Sequence, residues 1–136
     1  MAKAQIKNLD KSGSDITVMF NPREYTLEKS VQWESQKATG LDAPGLQFTS
    51  GNSMTLAMEL FFDTYEDRKD VRAETKKVED LAMVDPDKHR PPRCQFSWGK
   101  FNFVGILESV TQKYTMFLED GTPVRASLRV KFKEYW

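Results

Sequence analysis

Residue types that could support catalysis or bind a metal are scarce in this chain. His89 is the single histidine and Cys94 the single cysteine. A Ser-His-Asp or Cys-His site would need His89 as its base, and structural zinc usually takes four Cys or His ligands. His89 lies in the polar connector KHRPPR, and Cys94 opens an apolar segment. We therefore interpret His89 as an exposed loop residue and Cys94 as a small buried apolar side chain.

One acidic run superficially resembles a cation site. It comprises Asp63, Glu66, Asp67 and Asp70. The run lacks the alternating ligands and central glycine of an EF-hand loop, whereas acidic residues commonly precede a helix because they complement its dipole. We interpret it as the capped, solvated start of a helix. With no Walker-type loop or dinucleotide fingerprint in the chain either, we predict no catalytic residue, no metal and no cofactor. A small hydrolase using an unidentified acidic pair stays open as an alternative.

Composition narrows the class of protein further. The 136 residues carry 20 basic and 20 acidic side chains, so the net charge is zero. A nucleic-acid-binding domain would carry a basic excess, so no nucleic-acid partner is expected. No apolar run reaches the roughly 18 residues of a membrane helix, and the N-terminus lacks a secretory signal. We expect a single domain over residues 1–136, without membrane insertion, that is made in the cytoplasm.

The clearest structural pattern is a hairpin in the last third of the chain, from Phe101 to Phe132. Its second strand alternates strictly between apolar and polar residues, which is typical of a strand with one buried and one exposed face. The predicted buried face holds Val124, Ala126, Leu128, Val130 and Phe132, and the exposed face holds Arg125, Ser127, Arg129, Lys131 and Lys133. The turn between the strands is placed at 119–121.

Shorter patterns predict the remaining elements. Strands are expected near residues 2–8, 15–20, 24–35, 53–62 and 93–98, and one amphipathic helix from about Arg68 to Val84. Residues 36–52 lack a period and are predicted to be a long loop. The fold class is therefore mainly β with one helix. The predicted core contains Met54, Leu56, Met58, Leu60, Val124, Leu128, Val130 and Phe132.

Two exposed features have more than one interpretation. The basic stripe on the exposed face of the second hairpin strand consists of Arg125, Arg129, Lys131 and Lys133. It could be ordinary solvent-exposed surface, the lining of a channel, or an interface with an acidic partner. The 36–52 loop could fold over the edge of the sheet or reach a neighbouring subunit. A strand-rich domain of this size must also protect its edge strands or pair them with another chain, and we favour pairing.

Three stretches together resemble a known family. They are VMFNPREYTLEKSVQW at 18–33, MTLAMELFFDTYE at 54–66 and FVGILESVTQKYTMFLEDGTPVRASLRVKFKEY at 103–135. They are similar to the contractile injection system tube-initiator and tube-like protein family, in particular to the N-terminal tube-like domain of the LysM-containing baseplate protein of phage-tail-like particles. The resemblance covers nearly the whole chain. No LysM module is present in residues 1–136, so peptidoglycan binding is not carried over.

The resemblance implies a fold and a structural role. The fold would be a β-sandwich or barrel of the phage tail-tube type, whose strands join an intersubunit β-barrel. Six copies would form a ring that links the baseplate hub and spike to the inner tube and initiates tube assembly. The implied partners are further copies of the chain, the inner tube protein, a second tube initiator and the hub/spike protein, within a phage-tail-like particle whose extracellular release stays open.

We expect two groups of residues to serve this assembly. Leu41, Leu46 and Phe48 would contact a neighbouring subunit or ring, and Arg125, Arg129 and Lys131 would face the lumen. Which sheet face looks inward is left open by the sequence. Two alternative functions also stay open, namely the inner tube protein itself and a monomeric β-barrel that binds a small ligand.

Overall fold

The computed structural model describes residues 2–11, 15–30, 33–36, 45–48, 53–84, 86 and 89–135, with the backbone alone for 33–36 and 45–48. These residues form nine strands and one α-helix. The strands are β1 (Gln5–Asn8), β2 (Ile16–Thr17), β3 (Tyr25–Ser30), β4 (Trp33–Gln36), β5 (Gly45–Phe48), β6 (Ser53–Asp63), β7 (Arg93–Trp98), β8 (Phe101–Phe117) and β9 (Pro123–Glu134). The helix, α1 (Arg72–Glu79), continues into a 3-10 turn at Asp80–Ala82.

Seven of the strands form one antiparallel sheet in the order β2-β1-β7-β8-β9-β6-β3, and β4 pairs separately with β5. Within the described residues this sheet is open, because β2 and β3 stand at its two ends. The sheet curls, so that Tyr25 on β3 stacks on Phe101 of β8 with ring centroids 4.6 Å apart. The mainly β class with one helix is confirmed.

The core lies between the curled sheet and the helical segment. Alternate residues of β6 and β9 face inward, and Leu56, Leu128 and Phe132 are at most 1% exposed. Val71, Val78 and Leu81 of the helical segment are buried against them. The predicted core residues Met58, Leu60, Val124 and Val130 are buried as well, while Met54 is only partly buried at the margin.

The helix is shorter than the sequence pattern predicted. We expected it to start near Arg68, but Arg68 has a φ of +52°, which an α-helix cannot accommodate. The chain turns there because Thr64 donates a hydrogen bond to the carbonyl oxygen of Lys69. Asp70 then accepts a hydrogen bond from the backbone N–H of Arg72 at 2.9 Å, which satisfies one free donor of the first turn. At the other end Met83 is extended, so the prediction of a helix to Val84 is also wrong.

Other boundaries change in the first half of the chain. The strand expected at 15–20 is limited to Ile16–Thr17, because Asn21 anchors the following segment through its bond with the N–H of Ala4. The strand expected at 24–35 divides into β3 and β4, which belong to different sheets. The predicted loop at 36–52 contains β5, so four of its residues pair with β4 instead of forming irregular structure.

A buried carboxylate ties the N-terminal turn to the connector before β7. The Asp10 side chain is 2% exposed and accepts hydrogen bonds from Arg90 Nη1 and the backbone N–H of Arg93, both at 2.7 Å. The guanidinium of Arg93 adds two longer bonds to the other carboxylate oxygen. These donors, Arg90 first, hold the pKa of Asp10 well below its usual range, despite the opposing effect of burial. We call this group of Asp10, Arg90 and Arg93 the Asp10 clasp.

Candidate assembly surfaces

Strands β3, β6, β9 and the second half of β8 form a four-stranded platform. β6 pairs with β3 on one side and with β9 on the other, and β9 pairs with β8 almost to its end. β7 covers β8 only as far as Ile106. Beyond Ile106, no strand among the described residues pairs with that side of β8. The platform therefore has two open edges, namely the outer side of β3 and the 107–117 segment of β8.

The exposed face of the platform carries the residues expected to face a lumen. Arg125, Arg129 and Lys131 alternate with buried residues along β9, as their positions in the sequence predicted. On the neighbouring strand β6, Arg125 is opposite Asp63, Arg129 is opposite Glu59 and Lys131 is opposite Ala57. This register brings the three residues onto one solvent-exposed surface, and their role in a lumen remains a prediction.

Cross-strand pairing neutralises part of the basic stripe. Arg125 Nη2 lies 3.0 Å from Asp63 Oδ2. The pKa of Asp63 is lowered by its hydrogen bond from the N–H of Tyr65 and then by Arg125. Arg129 lies 3.9 Å from Glu59, and both side chains are more than half exposed, so this pair is weak. Within the described residues Lys131 has no ion-pair partner, which leaves the face with unpaired positive charge.

The edge strand β3 is exposed along its entire length. Tyr25 and Leu27 lie on the core side of the sheet yet remain 37% and 44% exposed, because no element of the described chain covers them fully. Alternation of apolar residues along this segment is typical of a half-buried strand, but the position of β3 at the edge of the sheet leaves this side uncovered. An exposed strand with apolar residues and free backbone donors is a template for pairing with another chain.

The hydrogen bonds at the strand ends establish which backbone groups point to these edges. The carbonyl oxygen of Val124, a core-facing residue of β9, accepts a bond from Thr64 on the β6 side. Tyr135, on the opposite face, donates to Val104 on the β8 side. Since peptide groups alternate along each strand, the backbone N–H of Leu27 points away from β6. The N–H of Gln112 likewise points to the open edge of β8.

A groove interrupts the exposed face at one end of the platform. It has a volume of about 750 Å³ and lies between the segment Phe20–Glu24 and strands β6 and β9. Its apolar part is a pair of exposed rings, Phe20 and Phe61, with centroids 5.4 Å apart. The sequence carried a signal for this feature, because Phe61 occupies a position where Thr55, Ala57 and Glu59 predict a polar face.

The remaining residues singled out from the sequence fall into separate places. Leu46 and Phe48 lie in β5, where they pair with Ser35 and Trp33 across the backbone ladder. Leu41 lies outside the described residues. His89 is exposed in the connector with a φ of +57°. Cys94 is 1% exposed, and burial raises the pKa of its thiol to about 12, which confirms its assignment as a buried apolar residue.

The described residues provide neither a candidate metal site nor a candidate membrane helix. Within them, no group of three or more His, Cys, Asp or Glu side chains is placed to hold a metal ion. Similarly, no helix in the described ranges is long and apolar enough to span a membrane. A second cavity of about 490 Å³ lies between the N-terminal segment and the helical segment, in addition to the platform face, its two edges and the groove.

The chain was compared with protein-family models, curated sequences and solved structures. The model of the contractile injection system tube protein family matches residues 1–136. Among solved structures, the fold is similar to a chain in the tail of an empty gene transfer agent particle refined with C6 symmetry, at 12% identity, TM-score 0.49 and coverage of 98% of this chain and 91% of that one. It is also similar to a chain from the virion of a native gene transfer agent particle, at 11% identity, TM-score 0.48 and coverage of 98% and 92%. No curated protein sequence matches the chain.

The described chain is an open antiparallel sheet with exposed edges and one polar face. The chain belongs to the contractile injection system tube protein family, whose model matches it over its whole length. It is a structural component of a contractile injection system and not an enzyme.

Proposed function

We propose that the chain forms a closed ring in which β3 of one subunit pairs with the open edge of β8 in the next. The observation that carries this proposal is the presence of two uncovered edges on one four-stranded platform. Rotation about a ring axis preserves strand direction, and β3 runs opposite to β8. The new pairing is therefore antiparallel, like every other pairing in the sheet. A heterologous contact of this kind generates a ring when its rotation closes, and closure removes the exposed edges.

The exposed face of the platform would line the lumen of this ring. Six copies, the number that the family resemblance implies, would give a barrel of 24 strands. With strands about 4.8 Å apart, its backbone diameter would be at least about 37 Å. Such a wide barrel encloses water rather than side chains, so its inner wall must be polar. Arg125, Arg129 and Lys131 lie on the polar face and would then face the channel, while the core and α1 lie outside.

Within the particle, we place this ring between the baseplate hub and the inner tube. It would contact the hub/spike protein on one side and the inner tube protein or a second tube initiator on the other, and would template tube polymerisation. Assembly would take place in the cytoplasm, before any release of the particle. The match to a tube protein family also favours a second candidate, in which the chain is the inner tube protein itself.

Ring closure is tested by removing one backbone donor at the β3 edge. Leu27→Pro eliminates the outward N–H while leaving the β3–β6 hydrogen bonds in place, since proline is tolerated on edge strands. We expect this variant to stay folded and monomeric. The matched control is Leu27→Val, which keeps the N–H and should assemble like the parent. Light scattering gives the mass and circular dichroism the fold. Ring formation by the folded proline variant would refute the proposed edge pairing.

Stacking and initiation need separate experiments. If Leu41, Leu46 and Phe48 contact the next ring, Leu46→Ser combined with Phe48→Ser should leave single rings that do not stack, as seen by electron microscopy. Unchanged stacking would show that these residues have no such role. An initiator should form rings that shorten the lag of polymerisation by a separate tube protein, whereas a tube protein should extend into long tubes on its own.

A further inference from the structure

We propose that the tip of the β8–β9 hairpin of one subunit docks into the Phe20–Phe61 groove of its neighbour, with Phe117 inserted beside the two rings. This inference rests on the ring proposed above and goes beyond it by identifying a contact that determines the stagger between subunits. Phe117 is the last residue of β8 and is 55% exposed. The groove holds Phe20 and Phe61, which are 46% and 37% exposed. Each half of the contact is thus an aromatic surface left uncovered in the isolated chain.

The stagger of barrel strands brings the two halves together. A strand tilt near 36° corresponds to a shift of about one residue per strand, or about four residues across a four-stranded platform. The carbonyl oxygen of Val124 points towards Thr64 at the β6 side of β9. Because Val124 faces the core, this direction determines the left-to-right order of the strands when the platform is viewed from its core side. With the polar face inward and the tilt right-handed, the next subunit moves along the direction from Asp63 towards Ser53.

This shift places specific residues side by side. In its own subunit Phe117 is opposite Pro123, just beyond the end of β6. Moved by four residues, it reaches the level of Ser127, which is opposite Phe61. The same movement aligns Gln112 of the neighbour with Leu27, so the two outward N–H groups meet partner carbonyls. The edge pairing and the aromatic contact therefore require the same register.

One local charge contact, between the hairpin tip and Arg23, is compatible with this occupant of the groove. The hairpin tip presents Glu119 and Asp120, both exposed. The groove is lined by Arg23 and Arg129, and also by Glu24 and Glu59, so its lining as a whole carries no net charge. Arg23 has no ion-pair partner within the described residues, and Arg129 has only the distant Glu59 at 3.9 Å. An acidic tip placed beside Arg23 gains a local attraction, although the groove as a whole does not attract negative charge.

The aromatic contact is tested with serine substitutions at exposed positions. We expect Phe117→Ser to raise the protein concentration needed for ring formation about ten-fold or more, and Phe61→Ser to act similarly. Combining them should add little, because each removes the same contact. Met83→Ser is the matched control, since Met83 is 63% exposed beyond α1 and should change assembly less than about two-fold. Equal behaviour of Phe117→Ser and Met83→Ser would overturn the proposal.

The charge contact is tested by exchange. Arg23→Glu and Glu119→Arg should each weaken ring formation, and the two together should restore it, because the exchanged charges attract again. Glu119 forms no hydrogen bond or ion pair within the described residues, so its replacement should not disturb the turn. Failure of the double variant to recover any assembly would contradict the predicted contact.

Cysteine cross-linking separates this inference from ring formation itself. Cys94 is buried, so it should not react, and only the engineered cysteines should form disulfides. Arg23→Cys with Glu119→Cys reports the groove contact, and Thr26→Cys with Lys113→Cys reports the edge pairing. We expect intersubunit disulfides from both pairs. Disulfides from the edge pair alone would refute the groove contact and leave the ring intact, whereas none from either pair would refute both proposals.

Discussion

The Asp10 clasp should be a major contributor to stability. Replacing Asp10 with Ala removes bonds to Arg90 and Arg93 and leaves two guanidinium groups without this partner. Breaking a buried ion pair by removing one partner costs about 3–5 kcal/mol. The two Arg side chains are 22% and 38% exposed and can recover some hydration. We therefore expect a loss near the lower limit, about 3 kcal/mol.

The measurement is urea denaturation followed by circular dichroism. With an m-value of about 2 kcal/mol/M, the midpoint should fall by about 1.5 M urea at pH 7. Asp15→Ala is the matched control, because Asp15 is an exposed carboxylate and should shift the midpoint by less than about 0.3 M. A shift for Asp10→Ala that is no larger than the control would refute the role of the clasp.

The clasp also predicts a pH dependence with a definite sign. The folded protein lowers the pKa of Asp10, so the stabilisation is fully present above the unfolded value of about 3.9 and decreases as the pH falls below it. The difference in unfolding free energy between the parent and Asp10→Ala should therefore be smaller at pH 3 than at pH 7. A difference that is the same at both pH values would indicate that the carboxylate charge is not involved.

Three further predictions concern the platform and core. A Cβ atom on Gly105 would lie 2.3 Å from the carbonyl oxygen of Lys133, so Gly105→Ala should destabilise the protein by about 1–3 kcal/mol in urea denaturation; a neutral result would contradict the close approach of β8 and β9. Arg125→Ala should cost up to about 1 kcal/mol because its pair with Asp63 is short and partly buried, whereas Arg129→Ala should be neutral. Cys94 should react with a thiol reagent only under denaturing conditions, and rapid labelling of the native protein would disprove its burial.

The parts of the fold that the sequence predicted are those with strong local patterns. Strands β6 and β9 alternate over many residues, and apart from Phe61 their exposed positions are not large apolar side chains, so the sequence predicted their buried faces and the core residues they supply. The hairpin turn at 119–121 and the burial of Cys94 followed from equally local signals. In each case one short segment of the sequence contained the information that was needed.

The features that the sequence did not predict depend on contacts between distant segments. Strand β3 has the alternation of a half-buried strand, but its position at the sheet edge leaves Leu27 exposed, and that position follows from strand order. The late start of α1 reflects the left-handed backbone at Arg68. The Asp10 clasp joins residues about 80 positions apart, which no local period reveals. The platform face was predicted correctly as a surface, while its two open edges required the structure.

The most direct test of the ring is electron microscopy of the purified protein in negative stain, with light scattering of the same sample to give its mass. The proposed function requires closed rings or short tubes with six subunits around a central channel. A strict monomer at every concentration, both alone and in the presence of the hub and tube proteins, would contradict ring formation.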